Sequence, residues 1–109
     1  MSMKINITYD NRTYTLEYTR ESIRTMESMG FIADELFSKP ALRIPELFYG
    51  AFAVHHRGIK RKEVDKMFNG IANRSELIQK LAEMYRETLS TLVEESEGNE
   101  GNVTWTVSE

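Results

Sequence analysis

The chain has 109 residues, 40% of them hydrophobic and 10% aromatic, which is enough for one domain with a buried core but not for two. Its formal net charge of -3 argues against a dedicated nucleic-acid binder, because phosphate neutralisation normally needs a basic excess. Cysteine is absent, which excludes disulfides, thiolate zinc sites and cysteine nucleophiles and favours an intracellular protein.

Neither the N-terminus nor any later segment of the sequence predicts contact with a membrane. The N-terminus enters alternating polar residues directly and lacks the apolar run of a secretory signal. The longest largely apolar stretch, residues 47–54, is far shorter than the roughly 20 residues of a membrane span. We therefore expect a soluble, cytoplasmic protein without membrane or nucleic-acid partners.

The N-terminal residues predict a β-hairpin over 4–18, turning at Asp10-Asn11. Two runs alternate apolar and polar residues with a period of two, as expected for strands with one covered face. The apolar members are Ile5, Ile7 and Tyr9 in the first run and Tyr14, Leu16 and Tyr18 in the second.

Two helices and a connection are predicted next. Thr19 is a suitable N-cap for a helix over 20–29, and Gly30 supplies a left-handed stop. Residues 31–39 predict an ordered connection. Pro45 suits the first position of a second helix over 46–56, which is apolar on nearly all sides and so should be central, and which Gly58 would end.

The C-terminal half predicts two more helices and a tail. A helix over 61–69 is closed by Gly70, and Asn73 with Glu76 resembles a capping box that opens the longest helix, over 74–95. Residues 96–109 predict a flexible acidic tail, in which Val103, Trp105 and Val107 alternate with polar residues like a strand.

These elements predict an α+β fold that is mainly α. An N-terminal β-hairpin precedes about four to five helices, and residues 1–95 would form a single compact domain.

Catalytic and metal chemistry are not predicted. His55 and His56 are adjacent, whereas a zinc pair on a helix needs positions four apart, so a packed or turn-capping role is favoured. The sequence shows no nucleophile elbow and no glycine-rich phosphate loop. We expect no enzyme activity, no catalytic residues, no cofactor and no metal.

A small helix-turn-helix DNA-binding regulator, built on residues 46–69, is one alternative. Residues 55–62 place clustered positive charge around a glycine turn between two predicted helices. Against it, Glu63 and Asp65 lie where a recognition helix would approach phosphates. A generic protein-interaction module is the other alternative.

Protein binding is favoured by a surplus of apolar helix surface. The second predicted helix and the wide stripe of the last one exceed what a hairpin and short helices cover. We predict that Phe48, Phe52, Tyr85, Leu89 and Leu92 belong to the core or to a partner-contact surface, and the residues alone leave that division open.

Several segments together carry a family resemblance. They run from Leu16 to Glu21, from Met26 to Phe31, from Pro45 to Phe52 into His55-His56, and from Leu81 to Tyr85. Across most of residues 4–95, this order resembles the tail assembly chaperones of siphophages, of the type found in phages or prophages of Gram-positive bacteria.

The resemblance implies a non-structural helper in the host bacterial cytoplasm that is absent from the mature virion. Such a protein binds the hydrophobic tape measure protein, keeps it soluble and helps to recruit tail tube protein. The resemblance also implies a homo-oligomer and a longer form made by ribosomal frameshifting near the end of the reading frame.

Overall fold

A computed structural model of the protein describes residues 3–93 and 103–108. Over these residues the fold is α+β and mainly α, with an N-terminal hairpin followed by four α-helices, in agreement with the predicted hairpin and four to five helices. No helix in residues 3–93 or 103–108 is long and apolar enough to cross a membrane. The elements are β1 (Ile5–Tyr9), β2 (Arg12–Leu16), α1 (Arg20–Ser28), a 3-10 helix (Ala33–Glu35), α2 (Pro40–Gly50), α3 (Arg61–Asn69) and α4 (Arg74–Ser90).

The hairpin turns where the sequence predicts. Asp10 and Asn11 form a two-residue loop with φ angles of 52° and 64°, as a type I′ turn requires, and short polar side chains tolerate this conformation. Ile7 lies opposite Tyr14 in the antiparallel register. Burial alternates along β1, so the hairpin has one covered face and one solvated face.

Helix α1 begins and ends through local signals. The Ser22 backbone N–H donates to Thr19 Oγ1 at 3.0 Å, and the Thr19 N–H donates to Ser22 Oγ at 2.9 Å, which forms a capping box. Gly30, with φ of 104°, follows the last turn. The predicted N-cap and the glycine stop are therefore confirmed.

Helix α2 begins earlier than the sequence predicted. It spans Pro40–Gly50 instead of 46–56, with Pro40 and not Pro45 in its first turn. Pro45 lies inside the helix, where it removes one backbone donor. The burial of Leu47 and Phe48, each 1% exposed, offsets that loss. Residues 51–55 continue as turns, so Gly58 is not the helix end.

In the second half of the chain, helix α4 departs from the prediction at both of its ends. Helix α3 has the predicted bounds, but α4 ends at Ser90, and residues 94 and 95 of the predicted helix lie outside the described residues. Asn73 precedes α4 in a left-handed conformation with φ of 59° and makes no side-chain cap bond. The predicted capping box with Glu76 is therefore wrong, since a box requires an extended N-cap residue.

The predicted tail is described only in part. Residues 96–102 and 109 lie outside the described residues, and residues 104–108 have no assigned helix or strand. Val103, Trp105 and Val107 are 89%, 82% and 73% exposed. The alternating apolar set of the tail therefore faces solvent in this chain.

Helix α2 is central, as predicted, and contacts α1, α3, α4 and the 3-10 helix. Gly50 permits a close approach to α1, because a Cβ at that position would lie 2.5 Å from the Met26 sulfur. The largest fully buried side chains come from β2, the segment that follows it, α2 with its following turn, α3 and α4: Tyr18, Tyr85, Phe48, Phe52, Leu16, Leu47, Met67, Leu81, Met84 and Val64.

Candidate interaction surface

The structure divides the predicted contact residues between core and surface. Phe48, Phe52 and Tyr85 are 1%, 0% and 2% exposed, so these three are core residues and the contact interpretation is corrected for them. Their rings pack edge to face with other aromatic rings instead of facing solvent. Leu89 is half-buried, and Leu92 is 61% exposed at the end of α4.

The two histidines hold the hairpin against the end of α2. His56 Nε2 accepts the Thr15 backbone N–H at 3.0 Å, and His55 Nε2 lies 2.7 Å from Glu17 Oε1. The Glu17 N–H donates to the Ala51 carbonyl at 3.0 Å, so residues 51–56 cover the outer edge of β2. His56 is half-buried against the Tyr14 ring, which agrees with the packed role predicted for it, whereas His55 is exposed. Within residues 3–93 and 103–108, no three histidine, aspartate or glutamate side chains group as metal ligands.

The outer face of α2 carries apolar side chains at the surface. Leu42, Pro45 and Tyr49 are spaced by three and four residues, so they form one stripe pointing away from the buried Leu47 side. Leu42 is 53% exposed, and the nearby Phe37 is 70% exposed. Exposed side chains of this size mark interaction sites when they lie together.

Two adjoining depressions join these side chains into one surface. A cavity of about 600 Å³ has Leu42, Pro45 and Phe68 in its lining, together with the polar residues Glu46, Arg61, Asp65 and Asn69. A second cavity, of about 330 Å³, is lined by Phe37, Ile44, Phe68 and Ile78. Phe68 borders both cavities. We call this continuous surface the α2 groove, comprising Phe37, Leu42, Ile44, Pro45, Phe68 and Ile78.

Charges of both signs line parts of the α2 groove. Arg61 lies 3.4 Å from Asp65, and Arg74 lies over the Phe68 ring, 5.5 Å from its centroid. Glu46 pairs with Arg43 at 2.8 Å. An apolar centre with a rim of paired charges is the usual anatomy of a protein-binding surface.

The buried Arg43 links α2 to the 3-10 helix beside this rim. Its guanidinium lies 2.8 Å from Glu35 Oε1 and 2.8 Å from Glu46 Oε1. The hydrogen bond from Arg43 lowers the pKa of Glu35, with a smaller contribution from Lys39. The charge cluster thus fixes the N-terminal turns of α2, from which Leu42 projects.

This lowered pKa predicts the direction of a pH effect on stability. The stabilisation from ionised Glu35 is fully present above the unfolded pKa, about 4.3 for glutamate, and is lost as pH falls through the lower folded value. We expect the difference in Tm between wild type and Glu35→Gln to narrow on acidification below about pH 4.3. Thermal unfolding followed by circular dichroism across that range measures this.

The Glu83→Gln variant is the matched control, because it removes the same charge from an exposed face of α4, where Glu83 lies 3.9 Å from Lys80. It separates the effect of losing the Glu35 ion pair on Tm from the effect of losing one negative charge. A Tm difference for Glu35→Gln that stayed constant across the acid range would contradict the assignment.

A smaller cleft opens on the other side of Arg61. It has a volume of about 160 Å³ and is lined by Met26, Met29, Tyr49 and Ile59 together with polar residues. Met29 is 75% exposed at its edge. This volume fits a single apolar side chain, so the cleft extends the apolar surface only locally.

The region proposed for a helix-turn-helix has a different geometry. Residues 51–60 separate α2 from α3, whereas a helix-turn-helix joins its helices through a turn of about three to four residues. The Arg61 guanidinium lies over the Tyr49 ring, 5.0 Å from its centroid, and also contacts Asp65. Arg61, one of the clustered positive charges of residues 55–62, therefore already contacts other residues of this chain.

Sequence reasoning missed the α2 groove. Phe37 lies in the predicted connection over 31–39 and Phe68 in the predicted helix over 61–69, while Leu42 precedes the predicted helix over 46–56. Pro40 is the sequence signal that could have located this surface, because proline is favoured in the first turn of a helix and Pro40 meets that preference as well as Pro45 does. A helix that begins at Pro40 places Leu42 and Pro45 on one outward face.

Comparisons with known proteins place the chain in a family. No curated protein and no solved structure matches the chain. A family model described as a domain of unknown function (DUF5055) matches residues 1–109. The chain therefore belongs to the DUF5055 family.

Proposed function

We propose that this protein is a phage tail assembly chaperone that binds the tape measure protein and keeps it soluble until tail tube subunits assemble around it. The α2 groove supports the proposal best. It offers an apolar surface, exposed at Phe37 and Leu42, within a rim of mixed charges. The order of sequence segments that resembles this class of chaperone is independent support.

The groove suits a helical client. An amphipathic helix presents side chains at positions i, i+3, i+4 and i+7, and these enter a hydrophobic groove as anchors. Helix α2 carries its own row at the same spacing, through Leu42, Pro45 and Tyr49, of which Leu42 and Pro45 line the groove. Ridges of this kind pack into the grooves of a second helix.

A long client would bind several copies. Each contact can be weak, because copies that also associate with one another gain avidity along one chain. The rim contributes little affinity, since exposed ion pairs such as Arg61 with Asp65 contribute only about 0–1 kcal/mol each. Affinity should therefore depend on the apolar centre.

Leu42→Asp is expected to raise the Kd for the tape measure protein about tenfold, the equivalent of about 1.4 kcal/mol in binding, and so to lower its soluble yield on co-expression. The leucine is 53% exposed, so the change removes an anchor without opening the core. The tape measure protein from the same genome is co-expressed with each variant, and soluble and pelleted fractions are quantified by gel densitometry.

Leu92→Asp is the matched comparison, because Leu92 is a leucine of similar exposure, 61%, at the end of α4, and is the contact residue that the sequence predicts instead of Leu42. Its effect is expected to stay below about twofold, as is usual for surface positions outside a contact centre. If Leu92→Asp lost the client and Leu42→Asp kept it, the contact would lie at the end of α4. A wild-type protein that left tape measure solubility unchanged would disprove the chaperone function.

A further inference from the structure

The hairpin has one covered edge and one open edge. The two-residue turn is closed by the hydrogen-bonded pair Tyr9 and Arg12. From that pair onward, every second residue of each strand hydrogen-bonds to the other strand, and the backbone N–H and C=O groups of the residues between them point away from the partner strand. On β2 the outward groups include the Thr15 and Glu17 N–H donors, which bond to residues 51–56. On β1 the outward residues are 4, 6 and 8, and no third strand pairs there within the described part of the chain.

A groove runs beside this open edge. Its volume is about 710 Å³, and its walls are residues 3–9 on one side and Ile71 and Leu77, with their neighbours, on the other. Ile5 and Ile7 are half-buried in its floor. We call it the β1 groove. An open strand edge above an apolar floor is the arrangement that accepts an added strand.

The chain contains a segment with the matching pattern. Residues 103–107 read Val-Thr-Trp-Thr-Val, which combines β-branched and aromatic residues of high strand propensity with a period of two. As a strand, this C-terminal segment would place Val103, Trp105 and Val107 on one face and both threonines on the other. The β1 strand alternates in the same way, with Ile5 and Ile7 inward and Asn6 and Thr8 exposed.

We propose that the C-terminal segment of one copy adds to the open edge of β1 in a second copy. A second copy is the occupant because Val103, Trp105 and Val107 are 73–89% exposed within the single chain, which leaves its own β1 groove uncovered. Trp105 then covers Ile71 and Leu77 across the groove, and both threonines extend the polar face. Reciprocal exchange closes a two-fold dimer in which both edges are filled.

Chain length permits the exchange. Nine residues separate Val93 from Val103, and a chain of that length can span about 30 Å. Lys4 and Lys80 line the β1 groove beside Glu76, and each lysine lies 3.9 Å from a glutamate of its own chain. Charge therefore contributes little to the choice of occupant, which depends on the strand pattern and the open edge. The association does not depend on the identity of the client.

Thr8→Pro and Thr13→Pro form a matched pair that tests the edge. The two threonines face each other in the register, and both are exposed, but Thr8 lies on the open edge and Thr13 on the other. Neither outward N–H belongs to the β1–β2 ladder, so proline at either site spares the hairpin. Thr8→Pro is expected to raise the dimer Kd at least about tenfold, and Thr13→Pro to leave it within about twofold.

Sedimentation velocity measures the association, and Trp105 reports the docking. Wild type should shift from 12.7 kDa toward twice that mass as concentration rises, with a blue shift of emission from the chain's single tryptophan. Thr8→Pro should remain a monomer with exposed tryptophan emission. Equal behaviour of Thr8→Pro and Thr13→Pro would overturn the assignment to the β1 edge.

Mixing two variants identifies the occupant. Trp105→Ala keeps an open groove but has no tryptophan, whereas Thr8→Pro keeps the segment and has a blocked edge. Adding Trp105→Ala to Thr8→Pro should restore the blue shift and produce a heterodimer. Wild-type emission that is blue-shifted at every concentration, without association, would show docking within one chain and overturn the proposal. Emission that stays exposed at every concentration would overturn it as well.

Discussion

Phe52→Ala is expected to lower the free energy of unfolding by about 3–5 kcal/mol, the usual cost of truncating a fully buried phenylalanine. Phe52 is 0% exposed and packs edge to face against Tyr14, at 5.9 Å between ring centroids, and Phe48, at 5.1 Å. Truncation leaves a cavity where the hairpin meets the turn after α2. Because small domains have about 5–15 kcal/mol of stability in total, the variant should be partly unfolded near physiological temperature.

Urea unfolding followed by circular dichroism measures this change, with the slope of the transition checking that the same surface unfolds. Phe37→Ala is the matched control, because Phe37 is 70% exposed and its removal should cost no more than about 0.5 kcal/mol. If the two variants lost similar stability, Phe52 would not be a core residue. This pair also separates stability from client binding, since only Phe37 lines the α2 groove.

The parts of the fold that local signals determine could be predicted from the sequence. The turn at Asp10-Asn11 needs two positive φ angles, and its flanking residues alternate, so turn chemistry and strand pattern agree. The Thr19 cap and Gly30 likewise act within a few residues of the helix they delimit. Agreement between neighbouring signals makes such elements predictable.

Helix α2 shows where local signals compete. Pro40 and Pro45 are both acceptable in the first turn of a helix, and the sequence alone does not rank them. The decision is tertiary: beginning at Pro40 places Arg43 between Glu35 and Glu46 and brings Leu47 into the core. The α2 groove depends on that choice, because it determines which side chains face outward.

The role of the histidines depends on long-range contacts. His56 meets Thr15 and His55 meets Glu17 across 41 and 38 residues of chain, so no spacing rule along the sequence identifies these partners. Sequence analysis could state only that adjacent histidines make a poor metal pair. The left-handed Asn73 is similar, since asparagine serves equally as an extended cap or a left-handed residue.

Tyr18→Phe is expected to lower the free energy of unfolding by about 1–3 kcal/mol, the cost of leaving a buried carbonyl without its partner. The Tyr18 hydroxyl donates to the Leu47 carbonyl of α2 at 2.7 Å, and the side chain is 2% exposed. Burial and the nearby Tyr85 raise the pKa of Tyr18, so the hydroxyl stays protonated and remains a donor. This bond joins the chain after β2 to the central helix.

Tyr49→Phe is the matched control, because the half-buried Tyr49 hydroxyl lies 3.4 Å from the Ile59 carbonyl, at the weak limit of a hydrogen bond. It should cost less than about 0.5 kcal/mol. Urea midpoints at equal slope give the comparison. A Tyr18→Phe protein as stable as wild type would show that the hydroxyl contributes no net stability, and the attachment of the hairpin would then depend on packing, on the Glu17 bond to Ala51 and on the His55 and His56 bonds.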